Sequence, residues 1–182
     1  LLKNSDCVVF GFEPNPVAVN ALKMKDKSQA FSEHFMPDIN EVINTDYIGS
    51  RFFIVPVALD NIEYPDFKTF YVVPKTEHVG EDCSSLLKPL EYFCKNPIEI
   101  KVPCYPLKHF LELLPEETIV EFIKIDVQGK DTDVIKSAGD YIHKIIYVTA
   151  EAQGCEQYEN EHEINSIQIL TEYLESKNFV RE

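Results

Sequence analysis

Basic residues, glycine and long apolar runs are all scarce in this chain, and each scarcity argues against a class of function. Lys and Arg number 17 against 31 Asp and Glu, giving a formal charge of −14 at pH 7. That balance argues against capture of a phosphate backbone, because nucleic-acid binders display a basic face. A small neutral or cationic partner fits better, although acidic composition also serves solubility. No apolar run is long enough to span a bilayer, and no basic start followed by an apolar core marks a leader. The six glycines never form GxG, so residues 1–182 offer no glycine-rich phosphate loop. Cys7, Cys83, Cys94, Cys104 and Cys155 contain no CxxC pair and no zinc-like spacing with His. They read as free thiols in a reducing compartment, which points to the cytoplasm. A bridge among Cys83, Cys94 and Cys104 is the alternative.

What is present is the pattern of one α/β domain. A chain of 182 residues supports one domain with a substantial core and is too short for two independent ones. It opens Leu1-Leu2 without an initiator Met, which reads as the ordered or processed part of something longer. Apolar runs at 7–12, 52–59 and 145–150, and a run ending at Ile125, alternate with segments of helical spacing. Near-continuous apolar strands between helices indicate a mainly parallel sheet with helices on both faces. Pro56 removes one ladder donor from the second run. Further strands are expected at Phe67–Val73, Ile98–Tyr105 and, after Asn178, at Phe179-Val180. Residues 28–50 form a polar connecting segment, and 78–89 a loop with Gly80 and Ser84-Ser85.

Two strands end in acids. Cys7-Val8-Val9-Phe10-Gly11-Phe12 leads into Glu13-Pro14-Asn15-Pro16, where Asn15 can cap a helix starting at Pro16. Glu121-Phe122-Ile123-Lys124-Ile125 delivers Asp126, followed by Gln128-Gly129 and a helix with Asp131 and Asp133 in its first turn. Ligands of open α/β sheets bind at the carboxyl ends of strands, so Glu13 and Asp126 are the leading candidates for gripping a nucleotide-like cofactor from one rim. Glu151, after the strand at Ile145–Ala150, is the next candidate acid. An acid that binds ribose lies about 20 residues after the glycine turn. Counting back from Glu13 by that distance runs past Leu1.

Glu13-Pro14-Asn15-Pro16, Val57-Ala58-Leu59-Asp60, Ser84-Ser85-Leu86 and Lys124-Ile125-Asp126-Val127-Gln128-Gly129 with Val134-Ile135-Lys136-Ser137-Ala138 resemble, in order and spacing, the signatures of FkbM-type methyltransferases. The resemblance runs from Val8 to about Phe179. It implies a Rossmann-like methyltransferase fold and S-adenosylmethionine as cofactor. Glu13 would bind the ribose with Asn15 beside it, Ala58 and Leu59 would border the adenine, and Asp126 would lie near the methionine end. The implied reaction is O-methylation of a hydroxyl on a small molecule or sugar, with Asp126 as the first catalytic candidate, in a positioning or basic role, and Glu151 as the next. His78, Ser84 and Ser85 are assigned to the acceptor, and no metal is called for.

The chain departs from the family pattern at two points. The first glycine-loop motif is absent from residues 1–182, and Gln128 stands where the family usually has Glu. In the implied fold the missing strand lies between those ending at Glu13 and Asp126. Without it, exposed ladder groups would cost about 1 to 3 kcal/mol each. A domain spanning 1–182 that is incomplete at its N-terminus is therefore expected. These departures support an alternative, a catalytically inactive binding or assembly module of the same fold. An NAD-dependent oxidoreductase shares the Glu13 logic but lacks a matching continuation from Asp60 to Pro106. Each acid also has a plainer role: Glu13 can end a strand, Asp126 can cap a turn, and Glu151 can be a solvated strand end. The acidic run 156–163 reads as a solvated loop or helix start.

Overall fold

The computed structural model describes residues 7–23, 47–74, 83–152 and 156–181; His78 and Cys155 lie outside these. The chain divides into two compact units, Leu1–Ala58 and Leu59–Glu182. Among the described residues no helix is long and apolar enough to cross a membrane.

In the first unit, β1 (Val9–Phe12) and β2 (Phe52–Val55) pair in parallel, with Val9 opposite Phe52 and Phe12 opposite Val55. The Phe10 and Phe53 rings stack at 5.6 Å between centroids. A Cβ at Gly11 would stand 2.9 Å from the Phe52 ring, so that ring would have to shift. Helix α1 (Pro16–Lys23) follows β1 and buries Val19 and Ala21. Its start is fixed as the composition suggests. Pro16 occupies the first helical position, where no N–H is needed, and Asn15 Oδ1 accepts from Val17 N at 3.0 Å.

The expected strand at 52–59 is in fact two. β2 stops at Val55, and after Pro56-Val57 a short strand β3 (Ala58–Leu59) belongs to another sheet. Proline lacks the N–H that would continue the ladder, so the break falls where that donor is missing.

In the second unit, β4 (Asp66–Val72) and β5 (Ile98–Tyr105) are antiparallel, within a sheet of order β3, β5, β4. Phe70, Val102 and Cys104 are buried on one face, while Phe67, Glu99 and Lys101 on the other meet solvent. That alternation is the half-exposed strand the sequence predicts. Helix α2 (Leu107–Leu111) precedes β6 (Val120–Ile125), and helix α3 (Asp131–Lys136) follows it. Gly139, at φ +56°, ends this helical segment and opens a 3-10 turn to Lys144, which leads into β7 (Ile145–Ala150). β6 and β7 are parallel, with Val120 opposite Ile145 and Ile125 opposite Ala150. Ile125, Val134, Ile135, Ala138, Ile142 and Ile145 form the adjoining core. Each of the larger aliphatic side chains buried there stabilises the fold by about 1.5 to 3 kcal/mol. Ser137 ties two helices together: its hydroxyl donates to Val134 O at 2.6 Å and accepts from Leu107 N at 2.9 Å.

Two expectations change here. Among the described residues the strands form three small sheets, two of them parallel pairs, where the sequence suggested one mainly parallel sheet. On β6 and β7, Phe122, Ile146 and Tyr147 are 37 to 55% exposed. Nor does a strand follow Asn178. Helix α4 (Glu161–Ile164) and helix α5 (Ile167–Ser176) complete the chain, and Asn178 takes φ 67° just after α5. The N–H groups of Asn178 and Phe179 then bond back to Glu175 O and Leu174 O, which closes the helix end and takes up donors a ladder would need. Cys94 and Cys104 are unbridged, so no disulfide joins any two of Cys83, Cys94 and Cys104.

Candidate functional site

The parallel register of β6 and β7 decides what stands at their carboxyl ends. Ile125 and Ala150 are the last pair of the ladder, so the next residues, Asp126 and Glu151, leave the sheet side by side at one rim. Their carboxyls lie close enough to influence each other's titration. Lys124 Nζ donates to Asp126 Oδ2 at 2.9 Å and Gln128 Nε2 to Asp126 Oδ1 at 2.8 Å.

These contacts push the two acids apart. Burial works against ionisation of Asp126, but the Lys124 hydrogen bond and charge, with the Gln128 bond and the Glu151 carboxyl, hold its carboxyl below the usual aspartate range. Desolvation and the negative charge of Asp126 raise Glu151, against the opposing charge of Lys124. The pair titrates together, Asp126 as the anion and Glu151 as the group that keeps its proton longer.

The chain after Asp126 turns sharply to make this possible. Gln128 and Gly129 both lie in the left-handed region, at φ 57° and 96°. Glycine at the second position also avoids a crowd, since a Cβ would meet Leu87 Cδ1 at 3.1 Å and the Glu161 side chain at 3.3 Å. Gln128 is used at three points. Its Nε2 reaches Asp126, its Oε1 accepts from Tyr158 at 3.3 Å, and its main-chain oxygen accepts from Ser85 Oγ at 2.6 Å. An amide at position 128 therefore supplies a donor to Asp126 where an ionised glutamate would add another negative charge.

Asp131 is completely buried rather than solvated at the helix start. Its Oδ1 accepts from Glu151 N at 3.1 Å, while Oδ2 has no partner among the described residues. Burial pushes its carboxyl up to about 6 against the opposing hydrogen bond from Glu151 N, with a further rise from the Asp126 charge. Its place in the first turn of a helix gave no sign of this burial. Asn165, 1% exposed, likewise carries no sequence signal. Its Oδ1 accepts from Thr132 N and Thr132 Oγ1 at 2.9 and 3.0 Å, and its Nδ2 donates to Glu151 O at 3.0 Å.

The remaining sequence candidates divide. Glu13, in the first unit, is half-buried at the carboxyl end of β1. Its Oε1 accepts from Asn15 N at 2.7 Å, and burial outweighs that bond to raise its carboxyl. Asn15 has its side-chain oxygen engaged in the α1 cap. Ala58 and Leu59 are 4 and 8% exposed. Ser84 Oγ accepts from Val73 N at 3.0 Å, and Ser85 is fully buried, bonded to Gln128 O and Leu87 N. His109 lies against the Tyr105 and Phe110 rings. In the acidic run, Glu156 pairs with His162 at 2.8 Å on the surface. Glu161 departs from a solvated reading: it is 2% exposed, with Oε2 accepting from the Gln157 and Tyr158 N–H groups and Oε1 without a partner among the described residues. Asp60, the last residue of the Val57-Ala58-Leu59-Asp60 signature, is a buried charge held by Lys68 and, at 2.8 Å, by Lys130.

No curated protein and no solved structure matches the chain. The model of the methyltransferase FkbM domain matches residues 2–181. That match spans essentially every motif described above, and the chain belongs to the FkbM methyltransferase family.

Proposed function

We propose that this protein is an S-adenosylmethionine-dependent methyltransferase of Rossmann-like organisation that methylates a hydroxyl on a small molecule or sugar. The observation that carries this reading is the Asp126 and Glu151 pair at the ends of two adjacent parallel strands, one acid pushed down and the other up. Such divergence separates a positioning anion from a proton acceptor. Glu13 fits a ribose-binding role: it is a half-buried carboxylate at a strand end, with Oε1 accepting from Asn15 N. When bound, the cofactor supplies an electrophilic methyl on a sulfonium.

The chain's own residues then act on the acceptor. Asp126, held as an anion by Lys124, accepts a hydrogen bond from the acceptor and orients its oxygen. Glu151, whose proton affinity is raised by burial and the Asp126 charge, is the residue that would accept the hydroxyl proton. Its position beside Asp126 returns the proton to solvent afterwards, since Glu151 is exposed. A formal charge of −14 favours an uncharged or cationic acceptor over a polyanion.

Isothermal titration calorimetry with S-adenosylmethionine is the test. Binding is expected, and Glu13→Ala should weaken it at least tenfold, the loss of about 1.4 kcal/mol from one hydrogen-bonded ribose. A folded full-length protein that takes up no S-adenosylmethionine refutes the assignment.

A further inference from the structure

Glu151 stands one residue beyond the last pair of the β6 and β7 ladder. Two buried side chains from other elements bond to its backbone. Asp131 Oδ1, at the start of α3, accepts from Glu151 N at 3.1 Å, and Asn165 Nδ2, between α4 and α5, donates to Glu151 O at 3.0 Å. Both residues are no more than 1% exposed. Asn165 is itself fixed, because its Oδ1 accepts from both Thr132 N and Thr132 Oγ1, and its N–H donates to Glu161 O at 2.8 Å.

We propose that Asn165 and Asp131 are positioning residues that clamp the main chain of Glu151 from opposite sides and thereby set its carboxyl against Asp126. The proposal deepens the functional reading above and rests on it for its catalytic consequence. With N–H and C=O both pinned, the only freedom left to Glu151 is in its side-chain torsions, and the Asp126 carboxyl lies within their reach. Released from the clamp, an exposed glutamate gains rotamers that point away from Asp126, and the pair separates. The charged groups facing Glu151 are Lys124 on β6, Asp126 just after it and Asp131 on α3.

The test is a carboxyl-carbon NMR titration of Asp126 and Glu151 in the full chain, in parallel with the pH profile of methyl transfer. Wild type should show Glu151 above its ordinary range and Asp126 below. Asn165→Ala should bring Glu151 back toward ordinary glutamate and lower kcat by up to about 100-fold with little change in KM. Thr132→Val removes one bond to the same asparagine but spares the clamp, so its titration should match wild type. A folded Asn165→Ala with unchanged titration and pH profile overturns the proposal. So does a Thr132→Val that shifts the titration equally, because the effect would then be general loosening. If Asn165→Ala does not fold, amide exchange in wild type decides: the Glu151 N–H should be protected like the ladder, and exchange at coil rates overturns the clamp. A protein that neither binds S-adenosylmethionine nor transfers methyl defeats the functional reading, and the titration and exchange results still judge the clamp separately.

Discussion

Replacing Asp131 by Asn should turn a pH-dependent protein into a flatter one, and the size follows from its burial. An ordinary aspartate titrates near 3.8, and Asp131 in the fold near 6. The gap of about 2 pH units corresponds to about 3 kcal/mol at 1.36 kcal/mol per unit. The sign follows from proton counting. Between the two values the unfolded chain has lost the proton while the folded chain keeps it, so stability falls as pH rises through that window. Above about 6 the penalty is complete, and below about 3.8 it vanishes. The amide introduced by Asp131→Asn retains an oxygen that can accept from Glu151 N and has no proton to lose. Urea unfolding of both proteins at about pH 3.5, 5 and 7 gives the comparison. The stability of Asp131→Asn minus that of wild type should climb by about 3 kcal/mol across the series, the other carboxyls cancelling in the difference. A difference that stays level, within the roughly 10–15% error of extrapolation, would show that Asp131 ionises freely and refute the argument from burial.

The Asp60 ion pair should respond in the opposite sense. Burial opposes its charge, but hydrogen bonds and charge from Lys130 and Lys68 hold its carboxyl down, so its stabilising contribution is present above about 3.8 and is lost at lower pH. Lys130→Met should cost about 3 kcal/mol in urea unfolding, because Asp60 is left with the more exposed Lys68. Lys68→Met should cost less, and the reverse order would contradict the assignment of Lys130 as the main partner. Cys104 is fully enclosed, and burial with the nearby Asp60 charge pushes its thiol up to about 11. Iodoacetamide followed by peptide mass spectrometry should find Cys104 unmodified in the native protein and modified in urea; native labelling would count against the packing of β5.

Much of the site's outline was legible because its signals are local. An apolar run followed by an acid and a glycine identifies the end of β6 and the turn after it, and Asn15-Pro16 names the start of α1. What the sequence conceals is pairing over distance. Asn165 answers Thr132 and Glu151, Lys130 answers Asp60, and Ser85 answers Gln128 O. Nothing at any of these positions announces its partner, since an amide or a hydroxyl looks the same whether solvated or buried. Asp131 shows the same limit from the other side. A first-turn acid is ordinarily exposed, and only the packing of α3 against its neighbours takes this one out of water. The split at Pro56 was half visible, because the missing donor was evident but the transfer to a different sheet was not.

The enclosed phenol of Tyr158 gives the molecule a built-in optical gauge. The sequence has no tryptophan, so tyrosine dominates its near-ultraviolet signal. Tyr158 is wholly shielded, set edge-on to Phe93 at 5.6 Å, and bonded through its hydroxyl to Cys83 O and Gln128 Oε1. Any rearrangement of the turn beneath Asp126 must tug on that ring, which makes near-ultraviolet circular dichroism a label-free view of events at the acid pair.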